Sequence, residues 1–203
     1  SGAAGSIGHD VTKRDEWETA LAAGAEHMGG IDILINNAGI GTFGSIETET
    51  EENWRLTQAI DVDSIFTGTQ LAMPYLKKSQ PASIINISSV AGMIADGNMI
   101  AYNTAKAAVW MMTKSIGLHC AKSGYDIRCN SVHPVFTRTP IIDPLIALGG
   151  GAEEGEKRLV SQIPWKRLAE PEDVGYCVLY LSSDESRYVT ASEFKIDGGI
   201  TAQ

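Results

Sequence analysis

Three residues of this sequence have the types and spacing needed for proton transfer at an alcohol or ketone oxygen. Ser89 closes an apolar run, Tyr102 follows thirteen residues later, and Lys106 comes four residues after the tyrosine. A tyrosine and a lysine four residues apart lie on one face of a helix. A free phenol is protonated at neutral pH, but a nearby ammonium group favours the phenolate, and a serine hydroxyl can bind the oxygen that exchanges the proton. The pattern predicts oxidation and reduction of a carbonyl group.

The residues before this helix favour the chemical interpretation over a chance tyrosine–lysine pair. Residues 83–89 are β-branched and apolar and lie between a proline and a glycine, which predicts a buried strand. Ser89 then stands at the carboxyl end of a strand, where open α/β sheets bind their ligands. Ser88 is the competing candidate, and the thirteen-residue spacing to Tyr102 favours Ser89.

A second predicted strand, residues 31–35, leads directly into Asn36-Asn37-Ala38-Gly39. Asparagine amides can tie neighbouring strands together at their ends, and Ala38 and Gly39 let a flat ligand approach the backbone. A simple Asn/Gly turn would have the same composition. Because the Ser–Tyr–Lys set lies downstream, we interpret this segment as part of a ligand site.

These motifs, in this order, resemble the short-chain dehydrogenase/reductase family. The matching elements are Asp10-Val11, Asn36-Asn37-Ala38-Gly39, the strand ending at Ser89, Tyr102-x-x-x-Lys106, Asn130-Ser-Val-His-Pro134 with Thr139, and Asp197-Gly198-Gly199. The resemblance covers nearly the whole chain. Its overall pattern is most similar to hydroxysteroid and cyclic-alcohol dehydrogenases.

The resemblance implies an α/β fold with a Rossmann-type doubly wound parallel sheet, and a nicotinamide cofactor. Tyr102 would be the catalytic acid/base, assisted by Ser89 and Lys106. NAD is the expected cofactor and NADP the alternative, since the strand that selects between them is not recognised in the sequence. The implied cofactor-binding residues are Asp10, Val11, Asn37, Ala38, Gly39, Tyr102, Lys106, Pro134, Thr137 and Thr139.

The start of the chain departs from the family pattern. The family begins with a strand, a glycine-rich turn, a helix and a second strand, whereas Asp10-Val11 follows here after nine residues. Residues 1–8, with Gly2, Gly5 and Gly8, resemble the family's T-G-x-x-x-G-x-G loop, which needs a strand before it and a helix directly after it. Two interpretations stay open. We favour an approach to a short strand at Asp10-Val11 in a fold lacking the N-terminal βαβ unit. The alternative is the true glycine loop joined to later sequence.

Two further departures fall at the predicted site. Asp61 occupies the position where the family commonly has a catalytic asparagine. An ionised carboxylate cannot donate a hydrogen bond, and its charge would act on Lys106. We expect Asp61→Asn to keep or raise activity. Val135 replaces the glycine that usually follows Pro134.

The remaining pattern alternates helix and strand, as a parallel sheet requires. We predict a helix over residues 13–28, capped by Thr12 and ended by Gly29, and a long helix over residues 51–78 with a kink or boundary at Pro74. The Tyr–Lys helix is expected to end near residue 123, and further strands are predicted over residues 127–132 and 193–197. We expect a single domain, residues 1–203, with a substrate lid over about residues 141–165, where apolar anchors mix with glycines.

Composition limits the possible partners. The 203 residues carry a formal net charge of −9, which argues against nucleic acid or an anionic membrane. The apolar runs are too short for a membrane-spanning helix. The three cysteines have no metal-type spacing, so we expect no metal site, and they favour reduced thiols in the cytoplasm.

Three functions are compatible with these observations. The first is an NAD(P)-dependent oxidoreductase that interconverts a small-molecule secondary alcohol with its ketone. The expected substrate is hydrophobic or cyclic, and steroids are included in this class. The second is a non-catalytic binding or scaffold protein with the same fold. The third is an epimerase or dehydratase acting on a nucleotide sugar, which the short sequence after Lys106 argues against. The resemblance also implies a homo-oligomer, with dimer interfaces inside tetramers.

Overall fold

A four-stranded parallel sheet forms the centre of the computed structural model, which describes residues 5–203. Residues 1–4, including Gly2 of the glycine-rich segment, lie outside the described residues. The strands are β1 (Ile33–Asn36), β2 (Ala82–Ile87), β3 (Ile127–Pro134) and β4 (Glu193–Ile196), and they lie side by side in sequence order. Each strand pairs in parallel with the next, so their carboxyl ends share one edge of the sheet.

Helices cover both faces of this sheet. They are α1 (Arg14–Met28), α2 (Glu51–Gln58), α3 (Ser64–Lys78), α4 (Ile100–Lys122), α5 (Asp143–Leu148), α6 (Ala152–Gln162) and α7 (Pro171–Ser182). Ile84 on β2 packs into a cluster with residues of α1, α3 and α4, whereas the next residue, Ile85, packs with Leu181 of α7. Successive side chains of a strand point to opposite faces, so an almost continuous apolar strand such as β2 needs cover on both sides. The predicted doubly wound α/β architecture is confirmed.

Asp10-Val11 does not form the predicted strand. The Asp10 carboxylate accepts hydrogen bonds from the backbone nitrogen of Thr12, at 2.9 Å, and from its hydroxyl, at 2.7 Å. This local turn competes with extended backbone and directs the chain into α1. Lys13, rather than the predicted Thr12, occupies the N-cap position. The predicted end of α1 is confirmed, since Gly29 has the left-handed φ of 77° that favours glycine.

The predicted long helix is a continuous helical run with an irregular turn inside it. A π-helical turn at Ala59–Asp63 joins α2 to α3. Helix α3 then continues through Pro74 to Lys78, so the predicted boundary at the proline is wrong. The irregularity lies instead at Asp61, and π-turns of this kind occur frequently at functional sites.

The predicted lid region consists of a short 3₁₀ turn, Pro140–Ile142, followed by α5 and α6. Helices α5 and α6 are in close backbone contact at Gly155, where there is no room for a side chain. A Cβ on Gly155 would lie 2.0 Å from the carbonyl oxygen of Ile146. Leu159 and Ile163 anchor the segment in an apolar cluster with Val135.

Within residues 5–203, no helix combines the length and the apolar character that crossing a bilayer requires.

Candidate active site

A cavity of about 1000 Å³ opens at the carboxyl edge of the sheet. It brings together most of the residues predicted from the sequence: Asn37, Gly39, Ser89, Tyr102, Lys106, Pro134, Thr137 and Thr139. Asp10, Val11 and Ala38 are not among the residues that line it. The parallel strands explain the convergence, because the segments that follow β1, β2 and β3 all emerge at the same edge.

Tyr102 and Lys106 lie one turn apart at the start of α4, as the spacing predicts. The ammonium nitrogen of Lys106 is 5.5 Å from the centroid of the Tyr102 ring. The lysine is buried, at 3% exposed, whereas the tyrosine is partly exposed and lines the cavity. A cation held beside a phenol that faces a cavity is the arrangement needed for proton exchange with a bound alcohol or ketone.

Two groups fix the position of the lysine ammonium. Lys106 Nζ lies 3.0 Å from Asp61 Oδ2 and donates a hydrogen bond to the carbonyl oxygen of Ile87, at 3.3 Å. In the described part of the chain, Oδ2 has no hydrogen-bond partner, so this contact is an ion pair. Both charged side chains are almost completely buried, at 4% and 0% exposed.

The two candidate serines have different surroundings. Ser88 donates from its hydroxyl to the carbonyl oxygen of Lys106, at 2.8 Å, and so ties β2 to the backbone of α4. The Ser89 hydroxyl accepts from the backbone nitrogen of Ala91 and lies 3.4 Å from the carbonyl oxygen of Pro134. That long contact leaves the Ser89 hydroxyl proton weakly held. The surroundings favour Ser89 as the group that binds a substrate oxygen.

The segment after β1 lies directly against the ion pair of Asp61 and Lys106. A Cβ on Gly39 would lie 3.2 Å from Lys106 Nζ and 3.3 Å from Asp61 Oδ2, so an added methyl group would push these side chains away by a few tenths of an ångström. The segment after β3 supplies backbone and hydroxyl groups at Thr137 and Thr139. Val135 turns its side chain into the apolar cluster around Ile142. Exposed backbone, hydroxyls and apolar wall together fit the nicotinamide end of a dinucleotide.

Comparisons with known proteins agree with this geometry. A family model described as enoyl-(acyl carrier protein) reductase matches residues 1–201. An NADP-dependent (R)-specific alcohol dehydrogenase from Lentilactobacillus kefiri is 39% identical over 97% of this chain and 77% of its own length. The chain belongs to the short-chain dehydrogenase/reductase family.

Two other members extend the comparison. A trans-4-hydroxycyclohexanecarboxylate dehydrogenase from Sinomonas cyclohexanicum is 40% identical over 95% of this chain and 69% of its own length. The solved structure of an aldohexose dehydrogenase from Thermoplasma acidophilum in ligand-free form has a TM-score of 0.91 and 32% identity, covering 97% of this chain and 78% of that one. Our chain is therefore an NAD(P)-dependent dehydrogenase/reductase. The comparisons give no support to the non-catalytic alternative.

In this short-chain dehydrogenase/reductase, amide side chains tie the strands together as predicted. Asn36 donates from Nδ2 to Asn86 Oδ1 on β2, at 2.8 Å, and Asn86 in turn donates to Thr113 on α4, at 2.9 Å. Asn86 and Thr113 were not identified from the sequence. The apolar neighbours of Asn86 indicate only a strand, whereas its partners are distant along the chain.

His133 also has a role that its sequence position did not reveal. The side chain is fully buried. Its Nδ1 lies 3.1 Å from the carbonyl oxygen of Ser89, and its Nε2 lies 2.8 Å from Ser131 Oγ. A carbonyl oxygen can only accept, so Nδ1 carries the proton and Nε2 accepts from the serine. Burial lowers the pKa of His133, which keeps the ring neutral.

Asp10 and Val11 have structural partners at the start of α1. The Asp10 carboxylate accepts hydrogen bonds from the backbone nitrogen and from the hydroxyl of Thr12, and both bonds lower the pKa of Asp10. The carbonyl oxygen of Val11 accepts from Trp17 Nε1, at 2.8 Å. Their binding to the cofactor stays a prediction, as it does for Ala38. Among residues 5–203, no group of three or more His, Cys, Asp or Glu side chains is placed to hold a metal ion.

Proposed function

We propose that this dehydrogenase interconverts a hydrophobic, cyclic secondary alcohol with its ketone. The observation that carries the proposal is the phenol of Tyr102, which faces a largely apolar cavity while the buried Lys106 ammonium stands beside its ring. The phenol would move the proton at the substrate oxygen, and the ammonium would favour its ionised form. Ser89 would hydrogen-bond the same oxygen.

The cavity walls support the substrate class. Around the catalytic residues they carry apolar side chains from three segments: Phe43, Ile94, Met99, Ile141, Leu145 and Leu148. Walls of this kind favour a compact apolar molecule over a sugar, whose hydroxyls would need many polar partners. A cyclohexane alcohol is the type of substrate named for the relative from Sinomonas cyclohexanicum.

We propose that the nicotinamide binds against the segments that follow β1 and β3. One side of the nicotinamide would meet the backbone of Asn37, Ala38 and Gly39. The other side would meet Pro134, Thr137 and Thr139. A bound nicotinamide supplies the hydride acceptor for alcohol oxidation or the hydride donor for ketone reduction. Asp10 and Val11 would contact a more distant part of the cofactor.

The direct experiment has a binding arm and a turnover arm. We expect NADH or NADPH to change its nicotinamide fluorescence on binding, and the tighter of the two identifies the preferred cofactor. We then expect oxidation of cyclohexanol and of a hydroxysteroid with the oxidised form of that cofactor to exceed oxidation of glucose. Binding of neither dinucleotide would contradict the proposal, and faster oxidation of glucose would contradict the substrate class.

We also propose a homo-oligomer in the cytoplasm. Large apolar side chains are exposed on α3 and α4, namely Phe66 at 53%, Met111 at 59% and Leu118 at 51%. A monomer seldom leaves so much apolar surface in water, so a second copy is the natural cover. The free thiols of Cys120, Cys129 and Cys177 support a reducing compartment. Sedimentation velocity tests the assembly, and a monomer at micromolar concentration would contradict it.

A further inference from the structure

Asp61 occupies the centre of the π-helical turn between α2 and α3, and its side chain is completely buried. Its two carboxylate oxygens have different partners. Oδ1 accepts a hydrogen bond from the backbone nitrogen of Ile40, at 2.8 Å. Oδ2 forms the 3.0 Å ion pair with Lys106 Nζ. One side chain therefore joins the segment after β1 to the catalytic lysine.

An amide cannot reproduce both contacts in this geometry. The Ile40 nitrogen and the Lys106 ammonium are both donors, and each needs an acceptor. A carboxylate has two acceptor oxygens, whereas an asparagine has one, and its NH₂ group would face the other donor. The sequence predicts that Asp61→Asn keeps or raises activity, but it does not reveal the hydrogen bond from Ile40, which this variant also affects.

The charge of Asp61 has a second consequence. A lysine ammonium assists a neighbouring phenol because its positive charge favours the phenolate. A carboxylate 3.0 Å from that ammonium offsets much of the charge, and burial keeps water from screening the pair. The pair as a whole is then close to neutral beside Tyr102.

We infer that Asp61 is a positioning residue that holds Lys106 and Ile40 in place and makes alcohol oxidation depend on a higher pH than Lys106 alone would require. The inference rests on the proposed role of Tyr102. Other titratable groups near the catalytic residues are Asp96 and Arg158 on the cavity wall and His133 behind Ser89. Asp96 and Arg158 are exposed and His133 is kept neutral by burial, so Asp61 is the buried charge in contact with the lysine.

The test compares pH profiles of turnover at saturating cofactor. For Asp61→Asn we expect the pH of half-maximal turnover to fall by about one unit or more, the size of effect that a neighbouring opposite charge produces. We also expect a weaker affinity for the dinucleotide, because either Ile40 loses its acceptor or Lys106 loses its counter-ion. Asp61→Glu keeps the charge and should keep the wild-type midpoint with a lower rate. Asp63→Asn is the matched control, since this exposed aspartate lies in the same turn.

A second variant covers the case in which Asp61→Asn does not fold. Gly39→Ala places a methyl group 3.2 Å from Lys106 Nζ and 3.3 Å from Asp61 Oδ2, and it removes neither charge. We expect it to loosen the pair and move the profile in the same direction by a smaller amount. If the wild type is active and the pH profile is unshifted in whichever of these variants folds, this inference is overturned and the proposed function stands. A wild type without turnover would overturn the proposed function and this inference with it.

Discussion

The imidazole of His133 donates a hydrogen bond to the carbonyl oxygen of Ser89 across 3.1 Å. The ring thereby supports the backbone of the serine that faces the cavity. Because burial lowers the pKa of His133 below its ordinary value of 6.5, the folded protein binds fewer protons at this ring than the unfolded chain does. The stability contributed by the neutral ring is present above about pH 6.5 and is lost as the pH falls below it.

We therefore expect the free energy of unfolding to fall between pH 7.5 and pH 5.5, and His133→Asn to remove part of that fall. An asparagine can still donate to Ser89 but does not titrate. Urea denaturation at the two pH values measures the effect. His119→Asn is the control, because it makes the same substitution at an exposed position. An undiminished pH dependence in His133→Asn would contradict the assignment.

Gly92 packs against the backbone of α4 at Lys106. A Cβ at this position would lie 2.6 Å from the carbonyl carbon of Lys106, which no side-chain movement can relieve. We expect Gly92→Ala to destabilise the protein by about 1–3 kcal/mol, the usual cost of overpacking, and to lower turnover by moving Lys106. Gly97→Ala is the matched control, since its added methyl group meets nothing within 4 Å. Equal melting temperatures for the two variants would contradict this account.

The sequence was sufficient to predict the elements that carry the proposed catalytic residues. Alternating apolar strands and helices place Ser89 after β2 and Tyr102 with Lys106 at the start of α4, as the structure has them. Such predictions succeed because periodicity and turn residues are local signals. The prediction of a short strand at Asp10-Val11 was wrong, also for a local reason. The Asp10 side chain bonds to Thr12 and forms a turn, and the residue types alone do not distinguish this turn from a short strand.

The contacts that define the site were less accessible from the sequence. The hydrogen bond of Asp61 with Ile40 and its ion pair with Lys106 join residues that are 21 and 45 positions apart in sequence, so both depend on three distant segments meeting at one point. The helix through Pro74 illustrates the same limit, since packing of α3 against the sheet outweighs the hydrogen bond that proline cannot make. Non-local packing decides both cases.

Leu148 provides a test of the apolar substrate wall. It lines the cavity although 71% of its surface is exposed. Losing about 1 kcal/mol of apolar contact weakens binding roughly fivefold. We expect Leu148→Gln to raise the KM for cyclohexanol by that factor and to leave kcat nearly unchanged. Met28→Gln, at an exposed position outside the cavity lining, is the control. An unchanged KM in Leu148→Gln would show that this wall does not contact substrate.

The amide pair of Asn36 and Asn86 should contribute to stability through their coupling. Both side chains are buried, and truncating either one removes the hydrogen bond between them. Asn36 keeps a longer bond to Thr69, at 3.2 Å, whereas the Oδ1 acceptor of Asn86 loses Asn36 as its donor. Leaving one buried polar group unsatisfied costs about 1–3 kcal/mol. We expect each alanine variant to be destabilised by this amount and the double variant by less than the sum. Denaturant midpoints of the wild type, the two single variants and the double variant measure this coupling. If the loss of stability in the double variant equals the sum of the two single losses, the coupling is contradicted.

Replacement of the Tyr102 hydroxyl tests the central claim most directly. Tyr102→Phe removes one oxygen atom from the cavity and leaves the ring beside Lys106. Tyr188→Phe is the control at a fully exposed position. We expect Tyr102→Phe still to bind NADH or NADPH and, at saturating cofactor, to lose about 10²- to 10⁴-fold in turnover, the contribution of a general acid/base. Turnover at the wild-type rate in Tyr102→Phe, with the dinucleotide bound, would contradict the assignment of this phenol as the group that moves the proton.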